Sequence, residues 1–409
     1  MVGVLTAAGV REQLAGFVAD VADRLDHPRR REHAETYVRG LLEAGARKSL
    51  QPTLFRLGQC GLDGVDAGYQ SVQQFLADSP WDPRLVLRAV AERVAPRLEV
   101  AAWVVDDTGF VKDGKCSPGV KRQYSGTLGK IGNCQIGVSV HAVGAAGTLP
   151  LGWSLYLPED WCDDGERRRR AKIPDQIVFQ TKPQLAADLV ATARHWDVPN
   201  APILADQAYG DDSVFRETLD GEGASYVVAV NPTTTVFAPE TVFAVPERGP
   251  AGRPATVARP DRGAERVEAI ARALPQSAWQ TLACRTRPDG SVETSRFTLL
   301  RVWAAHRILR HRHAPRPEWL IIEHPEGADA PSDYWLSNLP ASTIPEQLTR
   351  LARLRWTIEL DYRQLKGELG LDHYEGRSWI GWHHHTALVT VAHAFITEQR
   401  LRPTPKRPA

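Results

Sequence analysis

Between Val10 and Leu25 apolar side chains recur at Val10, Leu14, Phe17, Val18, Val21 and Leu25, the spacing of one face of an amphipathic helix. Ala34 to Ala44 and Pro83 to Val94 read as further helices, so residues 1–96 are expected to be all-helical. Beyond Pro96 the period changes. Leu98 to Val105 is a candidate strand, and Cys134, Ile136, Val138 and Val140 alternate with Gln135, Gly137 and Ser139 as a second. Gly144-Ala145-Ala146-Gly147 offers a turn before a third strand from Leu149 to Leu157. Leu185, Leu189, Ala193 and Trp196 mark a helix, Pro202 to Ala205 a buried strand, Ser213 to Leu219 a helix, and Tyr226 to Val230 a strand.

Three strands, helix, strand, helix, strand is the order expected of a ribonuclease-H-like (retroviral-integrase-like) α/β fold, a mixed sheet flanked by helices. In that fold the first and fourth strands are neighbours, and chemistry gathers at their carboxyl ends. Residues 97–230 would form the first part of this core. From 231 to 338 proline, glycine and arginine become frequent, with a helix expected at Ala264 to Leu274. Strands are expected at Trp279 to Thr286 and Ser295 to Ala304, joined across Pro288-Asp289-Gly290, then at Trp319 to Glu323 and Tyr334 to Leu336. This stretch reads as a β-rich insertion. Residues 339–400 return to helix, with Ser342 or Thr343 as cap and Pro345 in the first turn. The proline-rich end, residues 401–409, reads as a disordered tail.

The composition is that of a globular chain: 409 residues, 43% hydrophobic, 24% charged, with a formal net charge of +1. No apolar run approaches the ~20 residues of a membrane span and no secretory leader is legible, so a cytoplasmic protein without membrane contact is expected. Cys60, Cys116, Cys134, Cys162 and Cys284 lie too far apart for a zinc or redox motif. The small net charge hides local basic runs at Arg29 to Arg31, Arg167 to Arg170 with Lys172, and His306 to Arg316, where phosphate could bind.

Two apolar runs end in carboxylates, at Asp107 (with Asp106 beside it) and at Asp206. A third acid lies downstream. On a helical wheel Leu351, Leu354, Ile358, Leu365 and Leu369 form one apolar stripe, and Arg355, Glu359, Arg363 and Lys366 a narrow polar face beside it. Three carboxylates suit divalent cations used in phosphodiester chemistry. His383-His384-His385 do not suggest a metal site, because consecutive side chains on a helix diverge.

Arg355, Glu359 and Lys366 resemble, at matching spacing, the signature of the DDE-type transposases of bacterial insertion sequences, in the hairpin-forming cut-and-paste branch. The tyrosine of that signature is replaced by Ala352, with Tyr362 close enough on the wheel to substitute. Asp107-Thr108-Gly109 and Asp206-Gln207-Ala208-Tyr209-Gly210 are similar to the family's first and second aspartate segments, and Asp106 stays open as an alternative first ligand. Similar too are Tyr124 to Lys130, Leu371 to Trp379, Gly381 to His385 and Ser79 to Asp82.

The resemblance implies that Asp107, Asp206 and Glu359 hold two Mg2+ or Mn2+ ions and catalyse cleavage at transposon ends and strand transfer into target DNA. It implies Arg355 and Lys366 as phosphate contacts and Trp335 as a stacking platform for an extruded base. Lys121, Arg122 and Lys130, just after the first strand, are further candidates for the DNA backbone, with a solvated loop as the alternative reading. The partners implied are double-stranded DNA (terminal inverted repeats, read by the N-terminal helices, and target) and a second copy of the chain assembled on it. A domesticated, non-catalytic DNA-binding protein is the alternative, and an unrelated metal nuclease a third.

Overall fold

The computed structural model describes residues 7–58, 67–127, 129–245, 258–287, 290–305 and 316–402. They divide into two compact units, Met1–Asn200 with Thr357–Ala409, and Ala201–Trp356. In the first unit every described element before Leu98 is helical: Ala7–Val21, Pro28–Leu42, Leu50–Arg56, Ala67–Ala77, Pro83–Val94 and short 3-10 turns. Local chemistry fixes the starts. Proline opens two of these helices, and the residue before it caps each one: His27 accepts from Arg29 N, Asp82 from Arg84 N. Leu50–Arg56 and Ala67–Ala77 were not legible in the pattern. The helices pack around Trp379–Arg400, which is apolar on nearly every side from Ala387 to Phe395 and accordingly buried.

The strands of this unit are β1 (Val100–Val111), β2 (Lys121–Ser125), β3 (Lys130–Gly144) and β4 (Gly147–Leu155), with β3 antiparallel to each of the others. β1 corrects the expectation that its strand ends at a carboxylate. Asp107 is mid-strand, opposite Val138, and pairing continues through Thr108, Gly109 and Phe110 to Val111. The strand persists because Thr108 and Phe110 are buried past the aspartates. Gly109 is required there, since a Cβ would lie 2.1 Å from Ser125 Oγ. Lys121, Arg122 and Lys130 lie on paired strands rather than in a loop. The polar sequence of β2 hid it, being that of an edge strand protected by charge.

In the second unit β5 (Ile203–Ala205) runs parallel to β6 (Tyr226–Ala229). Among the described residues eight further strands complete the unit's main sheet or a small ladder beside it: β7 (Thr235–Phe237), β8 (Phe243–Ala244), β9 (Arg259–Pro260), β10 (Glu265–Arg266), β11 (Gln280–Thr286), β12 (Val292–Ala304), β13 (Glu318–His324) and, next to β6, β14 (Asp333–Ser337). From β6 the order is β14, β13, β12, β7, β10, all antiparallel, with β11 on β12 and a separate β8–β9 ladder. Its core joins Val230, Val302, Leu320, Ile322 and Leu336 under the helix Val267–Ala273. The mixed α/β class, strands flanked by helices, agrees with the ribonuclease-H-like expectation.

Two further expectations change. The helix Pro345–Leu354 is preceded by Ile344 without a side-chain cap, so neither Ser342 nor Thr343 serves. The single wheel drawn from Leu351 to Leu369 is also two helices, Pro345–Leu354 and Thr357–Gly367, with Arg355 and Trp356 in a turn between them. Trp356, Thr357 and Ile358 in succession have lowered helix propensity, and the Arg285 guanidinium stacks 3.7 Å from the Trp356 ring. Pro288 and Asp289, the basic run from His306 to His313, Cys60 and residues 403–409 of the expected tail lie outside the described residues. Among the described residues no helix is long and apolar enough to cross a membrane.

Candidate active site

Asp107 and Glu359 belong to the first unit. The Asp106 carboxylate accepts from Asp107 N at 2.7 Å, and Asp107 Oδ2 lies 3.1 Å from Lys182 Nζ. Lys182 opens the helix Lys182–Arg194, whose start is fixed by Pro183 and by reciprocal hydrogen bonds between Thr181 and Gln184. Glu359 is exposed in the first turn of Thr357–Gly367. What orients that helix is the acid two residues on. Ile358, Asp361, Tyr362 and Leu365 form its buried face, so a carboxylate sits where the period calls for an apolar side chain.

Asp361 is only 4% exposed and is enclosed by donors: His141 Nδ1 at 2.6 Å, the Thr148 hydroxyl, and His393 Nε2 at 3.4 Å. Ser139 Oγ continues the network to His141 Nε2 at 3.0 Å and to the Tyr362 hydroxyl at 2.8 Å. Burial pushes the Asp361 carboxyl up, but the hydrogen bonds from His141 and His393 outweigh it and hold the group well below the usual carboxylate range. Tyr362 is therefore a core phenol bonded to Ser139, and it does not take the place of the phosphate-contacting tyrosine absent at Ala352.

Because the folded carboxyl is depressed, the stability Asp361 contributes is present above its unfolded value, about 3.9, and is lost as pH falls below it. Asp361→Ala should destabilise by about 3 kcal/mol at pH 7, because it strips the buried His141, His393 and Thr148 donors of their acceptor. In urea unfolding between pH 7 and 3, the gap between wild type and variant should narrow at the acid end. A constant gap would contradict the assignment.

Lys366 ends the same helix and closes on β1. Its ammonium donates to Gly109 O at 2.6 Å and to Thr127 Oγ1 at 3.0 Å, and Thr127 Oγ1 also accepts from Gly109 N at 3.3 Å. The Asp107-Thr108-Gly109 segment is thus tied to the glutamate helix by an ammonium. Burial lowers the Lys366 pKa to about 8. The folded chain then sheds this proton before the unfolded chain does, so stability rises with pH between about 8 and about 10.4. Relative to Lys366→Met, wild type should gain stability across that window in chemical denaturation; a pH-independent difference would contradict it.

Asp206, Trp335 and Arg355 belong to the second unit and line one cleft of about 530 Å³ with Ala352, Arg285 and Trp356. β5 is fully buried and ends directly before Asp206, as expected, and Asp206 Oδ1 caps the next turn by accepting from Ala208 N at 2.9 Å. Trp335, on β14, is 7% exposed. The sequence reading missed Arg285 and Trp356, and also Arg353, which pairs with buried Glu323 at 2.6 Å. The signal was available only as two separate basic residues, because the β11 strand that brings Arg285 here is distant in sequence.

Lys121 is exposed and paired with Asp160 at 2.9 Å; Arg122 and Lys130 are exposed on the same hairpin. The three histidines pack, as expected. His384 stacks on Trp81 and spans Leu76 O and Trp81 O, and His385 meets the Tyr37 hydroxyl. Within each unit, no three His, Cys, Asp or Glu among the described residues stand close enough to hold an ion.

A family model described as DDE superfamily endonuclease matches residues 20–291, which include Asp107 and Asp206. The chain belongs to the DDE superfamily endonucleases. It is also 31% identical over 170 residues to the "Probable transposase for insertion sequence element IS701" of Microchaete diplosiphon, a match covering 41% of this chain and 42% of that protein. The chain thus spans less than half the length of that relative. Glu359 lies beyond the part that the DDE superfamily endonuclease model matches.

Proposed function

We propose that this DDE superfamily endonuclease is a transposase that cuts DNA at the ends of its element and joins them to target DNA by a cut-and-paste route. The observation that carries the reading is Asp107, a carboxylate in the middle of a paired strand, with a cation 3.1 Å away, inside the segment that matches the family. Asp107, Asp206 and Glu359 are the proposed ligands of two Mg2+ or Mn2+ ions. Carboxylate oxygens are the donors such hard cations take, and the Lys182 ammonium shows that Asp107 accommodates positive charge. When bound, the ions would make a water or a 3′ hydroxyl nucleophilic and stabilise the leaving oxygen.

The protein's own side chains do the rest in this reading. Lys366 keeps the β1 aspartate segment fixed to the glutamate helix through two of its three N–H donors, leaving the third for a phosphate. Arg355, in the cleft with Asp206, would grip a phosphate by two parallel hydrogen bonds. Trp335 would stack on an extruded base, worth ~1–3 kcal/mol. Lys121, Arg122 and Lys130 would follow the backbone, the N-terminal helices would read the terminal inverted repeats, and two copies would assemble on paired ends in the nucleoid.

A second reading, a domesticated DNA-binding protein that no longer cuts, is favoured by one observation: Ala352 in the Asp206 cleft, where the resembling family carries tyrosine. The two readings separate on purified chain mixed with its element's end duplex and Mg2+ or Mn2+. The transposase reading predicts nicked and hairpinned ends, with Asp206→Asn lowering the rate by roughly a hundredfold or more while end binding persists. Binding without cutting in the wild type supports domestication, and undiminished cutting by Asp206→Asn removes the carboxylate assignment.

A further inference from the structure

Lys182 takes no step in the mechanism above, yet its ammonium lies 3.1 Å from Asp107 Oδ2. Its place is unfavourable by local rules. An ammonium in the first turn of a helix opposes the positive end of the helix dipole. The helix start is rigid, set by Pro183 and the Thr181–Gln184 exchange, so the backbone of Lys182 is fixed and only its four-carbon stem can move. Both partners are partly shielded, Asp107 19% exposed and Lys182 30%. A second ammonium, that of Lys366, meets the same strand two residues on, bonded to Gly109 O at 2.6 Å. The pair lasts because each charge answers the other.

We propose that Lys182 is a built-in counter-cation for Asp107: its ammonium neutralises the carboxylate in the ion-free protein and is displaced when a divalent cation takes that oxygen. The inference rests on the reading of Asp107 as a metal ligand and adds a residue that sets how tightly the ion is held. Two positive groups at one carboxylate oxygen repel. An ion that takes Oδ2 must therefore first separate the pair, and its affinity is lower by the strength of that pair.

Calorimetric titration of the full-length chain with MnCl2, without DNA, tests this for wild type, Lys182→Met, Lys182→Arg and Asp107→Asn, with circular dichroism melts to confirm folding. Lys182→Met should bind Mn2+ roughly threefold to tenfold more tightly than wild type, the size expected of a partly screened ion pair removed from competition. Lys182→Arg, which keeps the charge, should stay near wild type, and Asp107→Asn should bind more weakly than both. Should Lys182→Met fail to fold, Lys182→Gln carries the same expectation with a polar stem. Equal or weaker binding by the neutral variants, with Asp107→Asn still impaired, removes the role of Lys182 alone. Wild-type affinity in Asp107→Asn removes the metal-ligand reading of Asp107, and this inference with it.

Discussion

A charge buried inside the first unit sets the geometry of everything proposed for its acids. Asp361 is 4% exposed, and the donors His141, His393 and Thr148 are what let its carboxylate stay in the core. That requirement fixes the rotation of the helix Thr357–Gly367. Once Asp361 and Tyr362 point at β3 and β4, Glu359 must emerge on the opposite side, in solvent, and Lys366 must reach back to Gly109. The network recognises direction as well as burial, since each hydrogen bond fails if the helix turns or slides by one residue.

The same unit shows how ammonium groups hold acids in place. Lys366 braces the backbone beyond Asp107, and Lys182 meets the Asp107 carboxylate itself. The second unit gathers Asp206, Arg355 and Trp335 into one cleft, with Arg285 stacked over Trp356 beside them. In the proposed reaction both units supply carboxylates to one pair of ions. Membership of the DDE superfamily endonucleases gives that proposal its chemistry, and the arrangement within each unit gives it its residues.

Much of the architecture was legible because its signals are periodic. The helix from Pro83, the β-rich stretch and the strand before Asp206 follow from apolar spacing and turn residues. The misreadings share a cause: side-chain pattern does not report pairing across the chain. β1 continues through polar Asp106, Asp107 and Thr108 because β3 is paired with it, and β2 is a strand despite a polar sequence for the same reason. The helix break at Arg355 and Trp356 was invisible on a wheel, which assumes a continuous helix. Asp361 was the signal overlooked. A carboxylate in register with Ile358 and Leu365 on an apolar stripe calls for a buried partner, and two of its partners, His141 and Thr148, lie more than two hundred residues upstream.

The central claim is that Asp107, Asp206 and Glu359 grip shared ions. Iron(II) replacing magnesium in the presence of ascorbate and peroxide makes hydroxyl radicals that cut the polypeptide beside the bound metal, and mass spectrometry of the fragments maps the cuts. The account predicts cuts clustered near residues 107, 206 and 359, all suppressed together by excess Mg2+. Cuts near only one of these acids, or cuts that Mg2+ leaves unchanged, would contradict it.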